Sequence, residues 1–408
     1  MITESRDYLQ PKNVRIPLTD KTSKIAMVQV EEGDTVMVGQ TIAFKYNGKK
    51  KTPVLSSISG IVKGFETTLD RFNKKTDHII IENDFQDKTI ELPALEEENL
   101  APAVIRARLN DCGIHQVTVD GLFTDVDFDQ PIEHVIVNAV FVNEPFLSID
   151  YDFIKHHAEA IGDGIKLLQV AALAKTATLI VDKYMDQETL DALGKATVDK
   201  DIQMVEINTK KVRGWDYEIA RKLSGEALGM NLLDNKVLYT SALTANMIHE
   251  AVRQGKPVVS RQVALTGEAF AINAMYEVRI GTPFADLVKD LGGYDDEEES
   301  YNIHIGNFLS GEQVEDDSFS ISLSVDAVHV SATEEEVEDV CIKCGECNDI
   351  CPAGILPQNI MDAELRSVKA RIVELHTDEC IECGLCTYVC PSKINVLEWV
   401  RRAKRRVG

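Results

Sequence analysis

Two stretches near the C-terminal end decide how this chain is read: Cys341-Ile-Lys-Cys344-Gly-Glu-Cys347-Asn-Asp-Ile-Cys351-Pro352 and Cys380-Ile-Glu-Cys383-Gly-Leu-Cys386-Thr-Tyr-Val-Cys390-Pro391. Both read C-x2-C-x2-C-x3-C-P, the spacing of a [4Fe-4S] ligand run. Two-residue gaps let three thiolates of one loop wrap one face of a cubane, and Gly345 and Gly384 allow close backbone approach. The fourth cysteine, before a proline, opens a helix turned away from its own loop, and in two-cluster ferredoxins it serves the other cluster. The expected sets are therefore Cys341, Cys344, Cys347 and Cys390 for one cluster, and Cys351, Cys380, Cys383 and Cys386 for the other. Zinc also uses C-x2-C pairs, but it needs four ligands and has no use for a x3-C-P step repeated twice.

Working outward, the segment between Cys351 and Cys380 is longer than a compact small ferredoxin needs. Residues 357–375 place Ile360, Leu365, Val368 and Ile372 at helical spacing, which predicts a helical cluster module. After the second run comes an apolar stretch and then Arg401, Arg402, Lys404, Arg405 and Arg406. Cations there suit the negative end of a helix dipole; docking onto an acidic partner or anionic lipid is the competing reading.

The 408 residues suffice for several domains, and the net charge of -24 argues against general nucleic-acid binding, which depends on Lys and Arg displacing counterions. The most apolar stretch, 167–181, contains Lys175 and is too short to span a bilayer. The opening MITESRDYLQ lacks the order of a signal peptide, so a cytoplasmic location is expected.

Upstream the rhythm changes. Residues 14–88 read as short strands and turns in two halves, the pattern of a barrel-sandwich hybrid of the biotinyl or lipoyl kind. Lys49, Lys50 and Lys51 near its central hairpin lack the acidic and Met neighbours of a modified swinging-arm lysine, and read as a solvated basic turn. Residues 95–232 alternate strand and helix, as in a mostly parallel α/β sheet, with a helix over 102–110 ended by Gly113. Residues 233–330 give two strands and a crossing helix, the pattern of a β-grasp unit, and residues 331–408 form the cluster domain. Cys112 reads as a small residue packed at a helix end, and His156 and His157, adjacent on a helix, point apart and cannot chelate as an i,i+4 pair.

In this order the chain resembles RnfC, the cytoplasmic NADH-side subunit family of the Rnf electron-transport complex. The echoes are VEEGDTVMVGQ and SGIVKG in the first domain, NEPFLSIDYDF in the second, AVRQGKPVVSRQVALTGEAF and YEVRIGTPFADLVKDLGG in the third, and CPSKINVLEWVRRAK at the end. The resemblance implies an α/β domain like the flavin subunit of complex I, a soluble-ligand-binding β-grasp, and two [4Fe-4S] clusters. It also implies an FMN and NADH site at a loop of the type GLGGAGFPT. Here that loop reads Gly113-Ile-His-Gln-Val-Thr-Val-Asp-Gly121-Leu-Phe-Thr124, so Gly113, Gly121 and Thr124 remain, and of the acidic N-G-A-E-C-E-P segment Glu144-Pro145 remains. The family's G-G-E-K is Gly214-Trp215-Asp216-Tyr217. Val117 and Val119 fill the space a phosphate needs, and Asp120 adds repulsion.

The expectation is an iron-sulfur subunit relaying single electrons, with other redox subunits or a ferredoxin or flavoprotein as partners, at the cytoplasmic face of a membrane complex. Two alternatives stand beside it: an FMN-dependent NADH:acceptor oxidoreductase subunit, and an electron-transfer or adaptor protein for a soluble reductase such as proline reductase.

Overall fold

A computed structural model describes residues 5–19, 23, 25–48, 50–69, 74–119, 122–125, 128, 131–140, 151–208, 219, 223, 236–270, 273–294, 301–306, 309, 311–332 and 339–407. Of these, the backbone alone is described for 5, 116–119, 122–125 and 151–152.

The first domain folds as two small sheets facing one core. One sheet runs Asn13–Pro17, Lys75–Asn83, Gly60–Leu69, Thr35–Val36, and the other Ile25–Val28, Thr41–Asn47, Lys50–Leu55. Alternation drives it: in Asn13–Pro17 Val14 and Ile16 point inward while their neighbours are half-covered, and they meet Ile42, Ile58, Val62, Ile79 and Ile81 in a closed core. Lys51 lies with its ammonium 3.6 Å from the Phe44 ring centre, and Lys50 sits in the same strand; Lys49 lies outside the described residues.

The α/β domain is built on four parallel strands in the order Gln203–Ile207, Thr176–Asp182, His134–Asn138, Val237–Ser241. The sequence boundary at 233 assigned the last strand and the Ala242–Arg253 helix to the β-grasp unit; the sheet takes both, because Val237–Ser241 pairs in parallel with His134–Asn138. The helix buries Ala245, Ile248, Ala251 and Val252 against the helix Ala158–Ala172. That contact is close enough that a Cβ on Gly164 would stand 1.8 Å from the Ala245 carbonyl oxygen. Fully burying each such Ile or Val side chain contributes about 1.5–3 kcal/mol. The two helices are also joined by Asp163, whose carboxylate lies 2.7 Å from His249 Nδ1 and 2.8 Å from the Arg253 guanidinium.

The third domain is a six-stranded mixed sheet with the helix Phe284–Asp290 packed on it, Phe284 stacking on Phe319 at 4.8 Å. One of its edge strands is Ser5–Tyr8, which pairs in parallel with Ala274–Arg279. Further bonds tie it to the first domain. Arg279 makes two 2.9 Å bonds to the Asp87 carboxylate, and Ser57 donates to the Ile280 carbonyl.

The cluster domain is helical. Residues 357–375 form two helices, Pro357–Leu365 and Lys369–Glu374, and the final helix Val396–Val407 packs across them through Val400 and Ala403. Among the described residues no helix is long and apolar enough to cross a membrane.

Candidate metal centre

The two cysteine runs fold as near-copies. In each loop the residue before the second cysteine and the residue after it lie in the left-handed region: Lys343 (φ 59°) and Gly345 (φ 85°) in the first, Glu382 (φ 54°) and Gly384 (φ 78°) in the second. Each loop runs into a short helix, Glu346–Asp349 or Leu385–Tyr388. A polar side chain on that helix then caps the next one: Asn348 Oδ1 accepts from the Gln358 N–H at 3.1 Å, and Thr387 Oγ1 accepts from the Leu397 N–H at 2.8 Å.

This geometry gathers the cysteines into two cavities. Cys341, Cys344, Cys347 and Cys390 line one, walled also by Met361, Ile394 and Val396. Cys351, Cys380, Cys383 and Cys386 line the other, walled also by Ile355, Leu385, Leu397 and Val400. In each, three sulfurs come from one loop and the fourth from the other run.

The donors suit a soft, thiolate-loving iron-sulfur group. Each cavity offers four thiols against apolar walls, and in the second the Glu382 N–H donates to Cys380 Sγ at 3.4 Å. Burial pushes the Cys380 thiol up to about 11 and the Cys383 thiol up to about 12, and raises Cys386 further. Without metal these thiols hold their protons, so loading the site releases them.

The loops differ in support. Glu382 is clamped from the final helix: Arg401 Nε donates to Oε2 at 3.0 Å, and Lys404 Nζ donates to Oε1 at 3.0 Å and to the Cys380 carbonyl at 2.9 Å. Burial alone would raise the Glu382 carboxyl; Lys404 and Arg401 outweigh it and hold it below its ordinary value. Arg406 donates to the buried Glu364 at 2.6 Å, and Arg402 and Arg405 both reach Glu398. The basic stretch thus braces the cluster domain. Sequence reading found the cations without Glu382 and Glu364, the partners of Arg401, Lys404 and Arg406, which lie on other elements.

The profile of the RnfC barrel sandwich hybrid domain matches residues 3–86, and that of the 4Fe-4S dicluster domain matches residues 340–394. Over 85% of its length the chain is 24% identical to the subunit designated C of the ion-translocating oxidoreductase complex of Rhodobacter capsulatus. The chain is RnfC-like. Over 88% of the RnfC-like chain, identity to the corresponding subunit of the Na(+)-translocating ferredoxin:NAD(+) oxidoreductase complex of Acetobacterium woodii is 26%. The matches span 69% of the Rhodobacter relative, 83% of the Acetobacterium one and 54% of a Haemophilus influenzae counterpart. A solved NAD+-reducing [NiFe]-hydrogenase overlaps 75% of this chain and 63% of its own, at a TM-score of 0.49 and 13% identity.

The RnfC-like α/β domain treats the expected flavin loop differently from the glycine-rich pattern. Gly113 (φ 82°) ends the helix Pro102–Asp111 and sits under Leu55, where a Cβ would stand 3.1 Å from Cδ1. The following residues form an antiparallel hairpin, Gln116–Val119 with Leu122–Asp125, in which Val117 faces Thr124. Its ladder takes alternate N–H groups that a phosphate cradle would need free. Gly121 and Glu144 lie outside the described residues, as does 214–217. Cys112 is fully buried and its thiol is pushed up to about 11 by burial, the packed role expected of it. His156 is exposed, whereas His157 stacks on Phe153 at 4.1 Å.

Proposed function

We propose that this chain holds two [4Fe-4S] clusters on the sets Cys341, Cys344, Cys347, Cys390 and Cys351, Cys380, Cys383, Cys386, and relays single electrons as a subunit of an ion-translocating redox complex. When bound, such clusters supply reversible one-electron storage at low potential. The observation that carries the reading is the pair of four-cysteine cavities in one helical unit, each completed by a cysteine from the other run. The chain's own residues do the rest. They present thiolates at fixed spacing, exclude water with Ile355, Met361, Leu397 and Val400, and aim the Glu382 N–H at the Cys380 sulfur, which tunes the potential.

In this reading the α/β domain is a scaffold and the chain carries no flavin, so it cannot split the hydride pair of NADH into single electrons. The partners are other redox subunits of a membrane complex at whose cytoplasmic face the chain sits.

The test is anaerobic reconstitution followed by iron and sulfide analysis, with about eight irons expected per chain. Saturation at four irons, or binding of zinc alone, would sink the reading. Excess FMN is then added and removed by desalting. Dithionite should bleach the visible spectrum and NADH should leave it unchanged; retained flavin with bleaching by NADH would instead establish the oxidoreductase alternative.

A further inference from the structure

The two cysteine loops match in backbone and differ in cover. A Cβ on Gly384 would stand 1.8 Å from the carbonyl oxygen of Leu309, so the second loop is pressed onto the third domain; one on Gly345 would meet nothing within 4 Å. Cys383 is buried, and its counterpart Cys344 is exposed. Glu382 is held inward by Arg401 and Lys404, while Lys343, at the matching position, faces solvent. Beside Cys344, Val340 is 80% and Ile342 67% exposed.

The second centre is thus shielded and the first stands at the surface. Because electron transfer weakens steeply with distance, exchange with another protein is fastest at the exposed cysteine. Two bare aliphatic side chains next to a redox ligand are what a docking partner would cover. Charge says what kind of partner. Asp339, Glu346 and Asp349 are exposed around this edge, against the exposed cations Lys343 and Lys393. An acidic partner meets like charge here; a basic one is steered in.

We propose that the edge formed by Val340, Ile342 and Cys344 is the docking surface for a redox protein that presents an apolar centre ringed by lysines or arginines. The proposal rests on the iron-sulfur reading above, and iron content with dithionite bleaching is measured first, so that failure of that reading is registered separately.

The probe is cytochrome c, a basic protein with an exposed haem edge, mixed with the dithionite-reduced, cluster-loaded full chain. Its reduction rate should fall with ionic strength. Exchanging the edge charges by Glu346→Lys with Asp349→Lys should slow it several-fold at low salt and flatten the salt dependence, whereas the remote pair Glu159→Lys with Glu188→Lys should change neither. On the unaltered chain, zero-length carboxyl-to-amine cross-linking should join cytochrome c to Glu346 or Asp349. Cross-links confined to other acidic residues, equal effects of the remote pair, or faster exchange with an acidic ferredoxin than with cytochrome c would each overturn the proposal.

Discussion

Lys404 holds the second cysteine loop at two points, donating at 2.9 Å to the Cys380 carbonyl and at 3.0 Å to the carboxylate of Glu382. Replacing it by Met keeps much of the apolar stem, removes both bonds and leaves Glu382 to Arg401 alone. Lys404→Met should cost about 1–3 kcal/mol, the range for bonds to charged groups in partly buried settings. Iron loss from the cluster-loaded protein under chelator should accelerate, while Arg405→Met, which acts only on the more exposed Glu398, should barely change it. Equal iron retention in the two variants would argue against the brace.

Alanine at the two matched glycines should separate the loops. Both carry positive φ, so each substitution costs about 1–2 kcal/mol of left-handed backbone strain. Gly384→Ala adds a collision with Leu309, whereas Gly345→Ala adds none. The melting temperature of the cluster-loaded protein should fall clearly further for Gly384→Ala, and matching melting points would mean the Leu309 contact yields freely.

Cysteine variants in pairs test the crossed wiring. Cys344→Ser combined with Cys390→Ser should lose the iron of one cluster, because both side chains line one cavity. Cys344→Ser combined with Cys351→Ser strikes both cavities and should lose the iron of both. Iron analysis giving the reverse pattern would show each run serving its own cluster.

Asp163 provides a pH signature. Burial would raise its carboxyl, but the bonds from His249 and Arg253 outweigh burial and hold it far below its ordinary 3.8. A depressed carboxyl contributes stability that is present above the unfolded value and lost as pH falls toward the folded one. The difference in urea stability between the native chain and Asp163→Asn should therefore be about 1–3 kcal/mol near pH 5. Below about pH 4 it should shrink. A difference independent of pH across that range would mean the carboxylate charge is immaterial.

Much of this was legible because the signals are local. A cysteine spacing is written in twelve consecutive residues, and alternation in Asn13–Pro17 or helical spacing in 357–375 needs no knowledge of the rest of the chain. What escaped is long-range. Ser5–Tyr8 has no apolar alternation, and its place as a strand depends on the partner Ala274–Arg279, in another domain and far away in sequence. The strand Val237–Ser241 follows a stretch with no clear boundary signal, so its return to the α/β sheet was read as the start of the next unit. The cations of the final helix suggested a dipole effect; Glu382, which pairs with Arg401 and Lys404, and Glu364, which pairs with Arg406, sit on separate elements and share no local pattern with them. At the flavin loop, the lost glycines were visible, and the hairpin that replaces the loop follows from the β-branched Val117, Thr118 and Val119.

The strand Ser5–Tyr8 means that the borders drawn along the sequence are not places where the protein can be cut. A β-grasp unit excised near residue 233 would leave the strand Ala274–Arg279 as a bare sheet edge, with backbone groups open to any passing strand. It would also strand Arg279, which is nearly covered in the intact chain, without the Asp87 carboxylate that neutralises it. Such a fragment should aggregate, and it should stay dispersed once residues 5–88 are supplied on a separate chain that restores both the edge strand and the counter-charge.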